Sequence, residues 1–125
     1  EKAGHDVTQL QIAINEHMYI ANTSDQAADE SWPVYQKMMN RIGRERGWSP
    51  LTRAYYESLR SPHGPLLVGS AEEVIDKLVQ QYGIFRNTRF LAQTIMGDIS
   101  HDKMLHSIEL FGKKVAPAVR AAISK

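Results

Sequence analysis

Leu66-Leu67-Val68-Gly69-Ser70-Ala71-Glu72-Glu73-Val74 reads as a short buried strand that turns at once into a helix. Three apolar residues before a Gly-Ser step fit a strand covered on both faces. Ser70 and Glu73 are three apart, the spacing at which each side chain caps the other's backbone N–H. Val74, Ile75, Leu78, Val79 and Tyr82 then recur on one helical face, with Gly83 as the expected stop.

The same order can be read twice more. Upstream, Leu10–Ile14 is an apolar, β-favouring run that Asn15, Glu16 and His17 interrupt. Thr23 with Gln26 opens a long helix whose stripe is Ala28, Trp32, Tyr35, Met39 and Ile42. Pro33 predicts a kink or restart near Trp32, and Gly47 ends the helix behind Arg41, Arg44 and Arg46. Ser49-Pro50 predicts a second, short helix running to about Leu59, before a loop at Ser61–Pro65. Downstream, Thr88–Met96 predicts a third strand, Gly97-Asp98 a turn, and Ser100 the cap of a last helix. That helix carries Met104, Ile108, Phe111 and Val115, and Gly112 and Pro117 divide it. Strands that alternate with helices predict an α/β fold with a parallel sheet.

At 125 residues the chain holds one domain. Fifteen Lys and Arg against fourteen Asp and Glu give a net charge of +1, which argues against a dedicated nucleic-acid binder. Without cysteine there is no disulfide scaffold, zinc ribbon or thiol nucleophile. No apolar run approaches the roughly 20 residues of a membrane helix, so the default expectation is a soluble, cytoplasmic protein without membrane or nucleic-acid partners. Glu1-Lys2-Ala3-Gly4 looks like a helix exit, which predicts a piece of something longer; a short protein with a trimmed terminus is the alternative.

Chemistry-bearing residues are few. His101 and His106 are five apart and point apart on a helix, so no metal site is expected. Asn15 and His17 fall at the predicted carboxyl end of the first strand, where parallel α/β folds bind ligands. The alternative, and the commoner case, is a surface residue of a βα loop or a satisfied core histidine. Gly69 and Ser70, at a strand end opening a helix, offer backbone N–H groups to a phosphate; an ordinary cap needs no ligand. Gln93, near the end of the third strand, faces a cofactor or pairs internally. Asp98, Ser100 and His101 form a weak hydrolytic set, since no strained nucleophile turn is present and Ser100 serves as a cap. Arg41, Arg44, Arg46 and Arg53 beside Trp48 read as a solvated helix end.

Three stretches together resemble a known family. They are Gly4-His5-Asp6, then Met39-Asn40-Arg41-Ile42-Gly43-Arg44-Glu45-Arg46-Gly47-Trp48, and the tail. The tail contains Leu67-Val68-Gly69-Ser70-Ala71-Glu72-Glu73-Val74, Arg89-Phe90-Leu91, Ser107-Ile108-Glu109-Leu110-Phe111-Gly112 and Val115-Ala116-Pro117. Nearly the whole chain is similar to the C-terminal third of the luciferase-like flavin-dependent monooxygenases, the bacterial luciferase family. The resemblance implies a partial (β/α)8 TIM barrel: about three parallel βα units, with 48–65 an insertion. It implies reduced FMN and O2 as reagents, a small organic substrate, and Asn15, His17, Gly69, Ser70 and Gln93 at the barrel mouth, with His17 the weak catalytic candidate. The isolated segment is expected to be inactive, and the alternative is a non-catalytic binding or assembly module from the same barrel. Because three strands cannot close a barrel, an open inner face and free edges predict a homo-oligomer.

Overall fold

A computed structural model describes residues 3–94 and 97–124. The element order is β1 (Ala13–Ile20), α1 (Ser24–Arg46), α2 (Arg53–Arg60), β2 (Leu67–Gly69), α3 (Ala71–Phe85), β3 (Arg89–Gln93), α4 (His101–Leu110), a π-helical turn (Phe111–Val115) and α5 (Ala116–Ile123). A short 3-10 turn, Val7–Gln9, precedes β1. No helix among the described residues is long and apolar enough to cross a membrane.

The chain forms an α/β fold, three parallel strands each followed by helix, as the alternation predicts. The strand order is β2-β1-β3. Consecutive barrel strands would instead lie side by side in chain order. The first crossover runs from β1 out to β2 and the second from β2 back past β1 to β3, in opposite directions, and right-handed connections then put their helices on opposite faces. The core agrees. Met18, Ile20 and Leu67 are buried with Val74, Leu78, Leu110 and Val115 on the α3–α4 side. Tyr19, Ala21, Leu66 and Val68 are buried with Ala27, Tyr35 and Tyr56 on the α1–α2 side. Apolar residues of both parities on β1 and β2 need cover on both faces, which one barrel wall with helices on its outside would not supply. The open inner face expected from three barrel strands is therefore absent over this half of the sheet.

Several predicted boundaries move. The first strand is Ala13–Ile20, not 10–14, and it runs straight through Asn15, Glu16 and His17. Its polar residues are tolerated because Asn15 is exposed, Glu16 is bonded by Gln81 of α3 and His17 packs on Tyr35 of α1. Exposure falls along the strand from Ala13 to Ile20. The third strand ends at Gln93; the predicted extension to Ile95 and Met96 lies outside the described residues, as do Glu1 and Lys2 of the proposed helix exit. α1 starts on Thr23 and stops at Gly47 as predicted, but continues unbroken through the exposed Pro33. α2 is capped by Thr52, whose side chain accepts from Tyr55 N, and not by Ser49. α3 passes Gly83 and ends with Arg86 in the left-handed region. Ser100 caps α4, and the helix loosens into a π turn ahead of Pro117. Proline has no N–H for the carbonyl of Lys113, so the wider turn absorbs the missing bond.

Two substitutes complete the sheet. β1 outlasts β3 by three residues, and there α4 takes the neighbour's place: Ile20 N donates to Ser107 Oγ at 2.8 Å. On the far side, β2 is an edge strand whose outward carbonyls are met by cations. Arg60 Nε donates to Val68 O at 3.2 Å, and Lys77 Nζ to Leu66 O.

Candidate functional site

Asn15, His17 and Gln93 lie on one polar patch of sheet. Asn15 pairs with Leu91 and His17 with Gln93 in the β1–β3 register. Alternate β1 residues share a face, and His17 meets Tyr35 of α1 edge-on, 5.9 Å between ring centres. Asn15, Leu91 and Gln93 therefore face the α1 side too, below the point where α1 covers it, and all three are exposed. His17 is half-buried, and its Nδ1 has no hydrogen-bond partner. Burial lowers its pKa, which keeps the ring neutral at pH 7. Nδ1 is shut off from solvent, so a bound group would meet the ring at its other nitrogen, Nε2. It sits mid-strand on β1, so its predicted place at that strand's carboxyl end is corrected; it is level with the end of β3 instead.

Glu16 points the other way, toward α3. Gln81 Nε2 donates to its Oε1 at 2.6 Å, while Oε2 is unpaired. Burial raises its pKa, against the pull of Gln81 and Lys77.

Gly69 and Ser70 stand apart from this patch. Gly69 pairs with Ile20, three residues further along β1 than His17, about 10 Å at the rise of a strand. Ser70 Oγ accepts from Glu73 N at 3.3 Å, the predicted cap. The Gly69 cradle is filled from within: a Cβ there would collide with Glu73 Oε2. Asp98, Ser100 and His101 are not gathered into a hydrolytic set. Asp98 pairs with Lys37 at 3.0 Å, Ser100 accepts from Lys103 N, and His101 is exposed.

The carboxyl end of β1 carries a cluster that the sequence did not disclose. A cavity of about 220 Å³ lies between α1 and α4, lined by Tyr19, Gln26, Glu30, Asp102, Lys103 and His106. Its place follows from topology. The chain leaves β1 toward one face and β3 toward the other, and the crevice between such divergent ends is where open α/β sheets bind ligands. Glu30 is the centre. It accepts from Tyr19 Oη and from Gln26 Nε2 at 2.9 Å, with Lys103 Nζ at 3.8 Å. Partial burial raises the Glu30 pKa, but these donors together with Lys103 and His106 bring it net below the ordinary value. Burial first, then Glu30, pushes the Tyr19 phenol up. His106 Nε2 and Asn22 Oδ1 close the rim at 2.9 Å. The available signal was Met18-Tyr19-Ile20-Ala21, an apolar run ending at the Thr23 cap, which already marks the true strand end.

No family model matches the chain. The uncharacterized protein y4vJ of Sinorhizobium fredii (strain NBRC 101917 / NGR234) is 35% identical over 60 residues, 48% of this chain and 17% of that protein. The crystal structure of monooxygenase RslO1 from Streptomyces bottropensis is similar in fold, with a TM-score of 0.67 over 93% of this chain at 20% identity. The chain spans 33% of that structure and a smaller share still of the curated relative.

Proposed function

We propose that the chain is part of an oxidoreductase, a flavin-dependent monooxygenase that uses reduced FMN and O2 to oxidise a small organic substrate. Three supports converge: the luciferase-like sequence pattern, the fold shared with a monooxygenase, and the polar patch of Asn15, His17 and Gln93. The patch carries the reading, because Asn15 and Gln93 stand exposed on one face of the sheet beside the half-buried ring of His17 and offer polar groups to a bound molecule.

The described residues do not fit the phosphate of FMN. At the three helices that follow strands, Thr23, Ser70 and Ser100 each cap their own helix and each first turn holds an acid: Asp25 in α1, Glu72 and Glu73 in α3, Asp102 in α4; α2 has no acid there, but Thr52 fills its cap. Carboxylates at a helix N-terminus occupy the place a phosphate would take and repel it. In this reading Gly69 and Ser70 hold no phosphate, and the 125 residues alone are inactive. The acid-filled cradle at Gly69 also favours a second reading, a non-catalytic binding or assembly module.

Anaerobic titration of reduced FMN distinguishes them, with the chain by itself and within the full product of its coding sequence. The flavoenzyme reading expects saturable binding and flavin-dependent O2 uptake by the full product, weakened about tenfold by His17→Leu through one lost polar contact of 1–2 kcal/mol. A full product with no affinity for either oxidation state of FMN overturns it in favour of the module.

A further inference from the structure

A cavity of about 470 Å³ opens between α2, β2 and α3, away from both clusters above. Its lining includes Ser24, Glu57, Arg60, Glu73, Asp76 and Lys77. Lys77 is 7% exposed, and no carboxylate lies within ion-pair distance of it among the described residues. Its Nζ donates to Leu66 O and, at 3.3 Å, to Arg60 O. Those two bonds fix the amine at one place in the cavity wall. A neutral amine has two N–H bonds and one lone pair; with both hydrogens held by carbonyls, the lone pair stays available to an electrophile.

We propose that Lys77 is a carbonyl-condensing lysine, its Nζ adding to the carbonyl carbon of a small uncharged aldehyde that enters this cavity. The new N–C bond forms, the carbonyl oxygen leaves as water with both amine hydrogens, and an imine remains. No oxidant or reductant is consumed. Charge selects the partner class. Glu57, Glu73 and Asp76 repel an anion, and Arg60 is already committed to Glu57, Ser24 and Val68 O. Burial supports the chemistry by pushing the Lys77 ammonium down to about 8. Glu16 from β1 and Glu73 from α3 oppose that shift, and Arg60 from α2 adds to it. Desolvated lysines of this kind are the usual imine formers.

The test compares lysines within one chain. The protein is incubated with acetaldehyde and cyanoborohydride near the titration point of Lys77, and ethylated peptides are quantified over time by mass spectrometry. Lys77 is expected to react about tenfold or more faster than the exposed Lys37, Lys103 and Lys113, which are paired with Asp98, Glu30 and Glu109. The preference is expected to vanish in urea. Lys77→Arg retains donors for both carbonyls and should remove the fast site while leaving the other three rates unchanged. Labelling of Lys77 at or below the rate of the exposed lysines in the folded chain overturns the proposal.

Discussion

His17 and Ser107 show how single polar atoms are handled inside this sheet. Burial depresses the His17 pKa below 6.5, so the unfolded chain takes up that proton more readily than the folded one. The stability tied to a neutral His17 is fully present above pH 6.5 and is lost as pH falls through the lower, folded value. Urea midpoints measured from pH 7 downward should therefore fall more steeply for the wild type than for His17→Asn. Ser107 is 1% exposed and accepts the Ile20 N–H. Ser107→Ala leaves that donor buried without a partner and should cost about 1–3 kcal/mol, read as a lower urea midpoint with an unchanged slope.

At the level of elements, α3 is set by its two ends. Ser70 caps the first turn, and Ser70→Ala should cost about 1 kcal/mol in thermal or urea denaturation. Its other end is less well served. Arg86 is the C-cap at φ 50°, the only described non-glycine residue with a positive φ. An L side chain pays about 1–2 kcal/mol there. Arg86→Gly removes that strain and loses an exposed stacking contact with Tyr82, at 5.3 Å. The expected balance is a gain of about 0.5 kcal/mol, seen as a higher melting temperature. Gly83, the predicted stop, stays helical because its neighbour Tyr82 still accepts the capping bond from Arg86 N.

Across the whole molecule, the two sheet edges differ. Arg60 and Lys77 meet the outward carbonyls of β2, whereas β3 has no strand on its outer side among the described residues and presents Leu91 at 49% exposure. Leu10 and Ile12, ahead of β1, are also exposed. Helices on both faces of the carboxyl half leave less apolar surface for association than an open barrel wall would. We propose that self-association, if driven by the sheet, runs through the β3 edge and the adjoining patch. Sedimentation at micromolar concentration should show a species above monomer mass, and Leu91→Lys should return it to monomer. A wild-type chain that sediments as a compact monomer removes this edge as an interface.

The sequence by itself determined the parallel α/β alternation, the caps at Thr23, Ser70 and Ser100, the Gly47 stop and the pairing potential of the third strand. These are local signals: a cap is made within four residues, and a strand or helix stripe within one element. It also selected Asn15, His17 and Gln93, which the register brings onto one patch. Only the tertiary structure decided that β1 runs unbroken from Ala13 through Glu16 and His17, because their partners lie far along the chain, Gln81 of α3 for Glu16 and the ring of Tyr35 of α1 for His17. It alone decided the order β2-β1-β3, since two parallel crossovers read the same in sequence whichever side of β1 they take. From that order come the cluster of Tyr19, Glu30, Lys103 and His106, whose members are up to 87 positions apart in the chain. The Glu73 carboxylate over Gly69 was equally invisible, because a capping pattern fixes which backbone N–H is met and not where the acid's own side chain comes to rest.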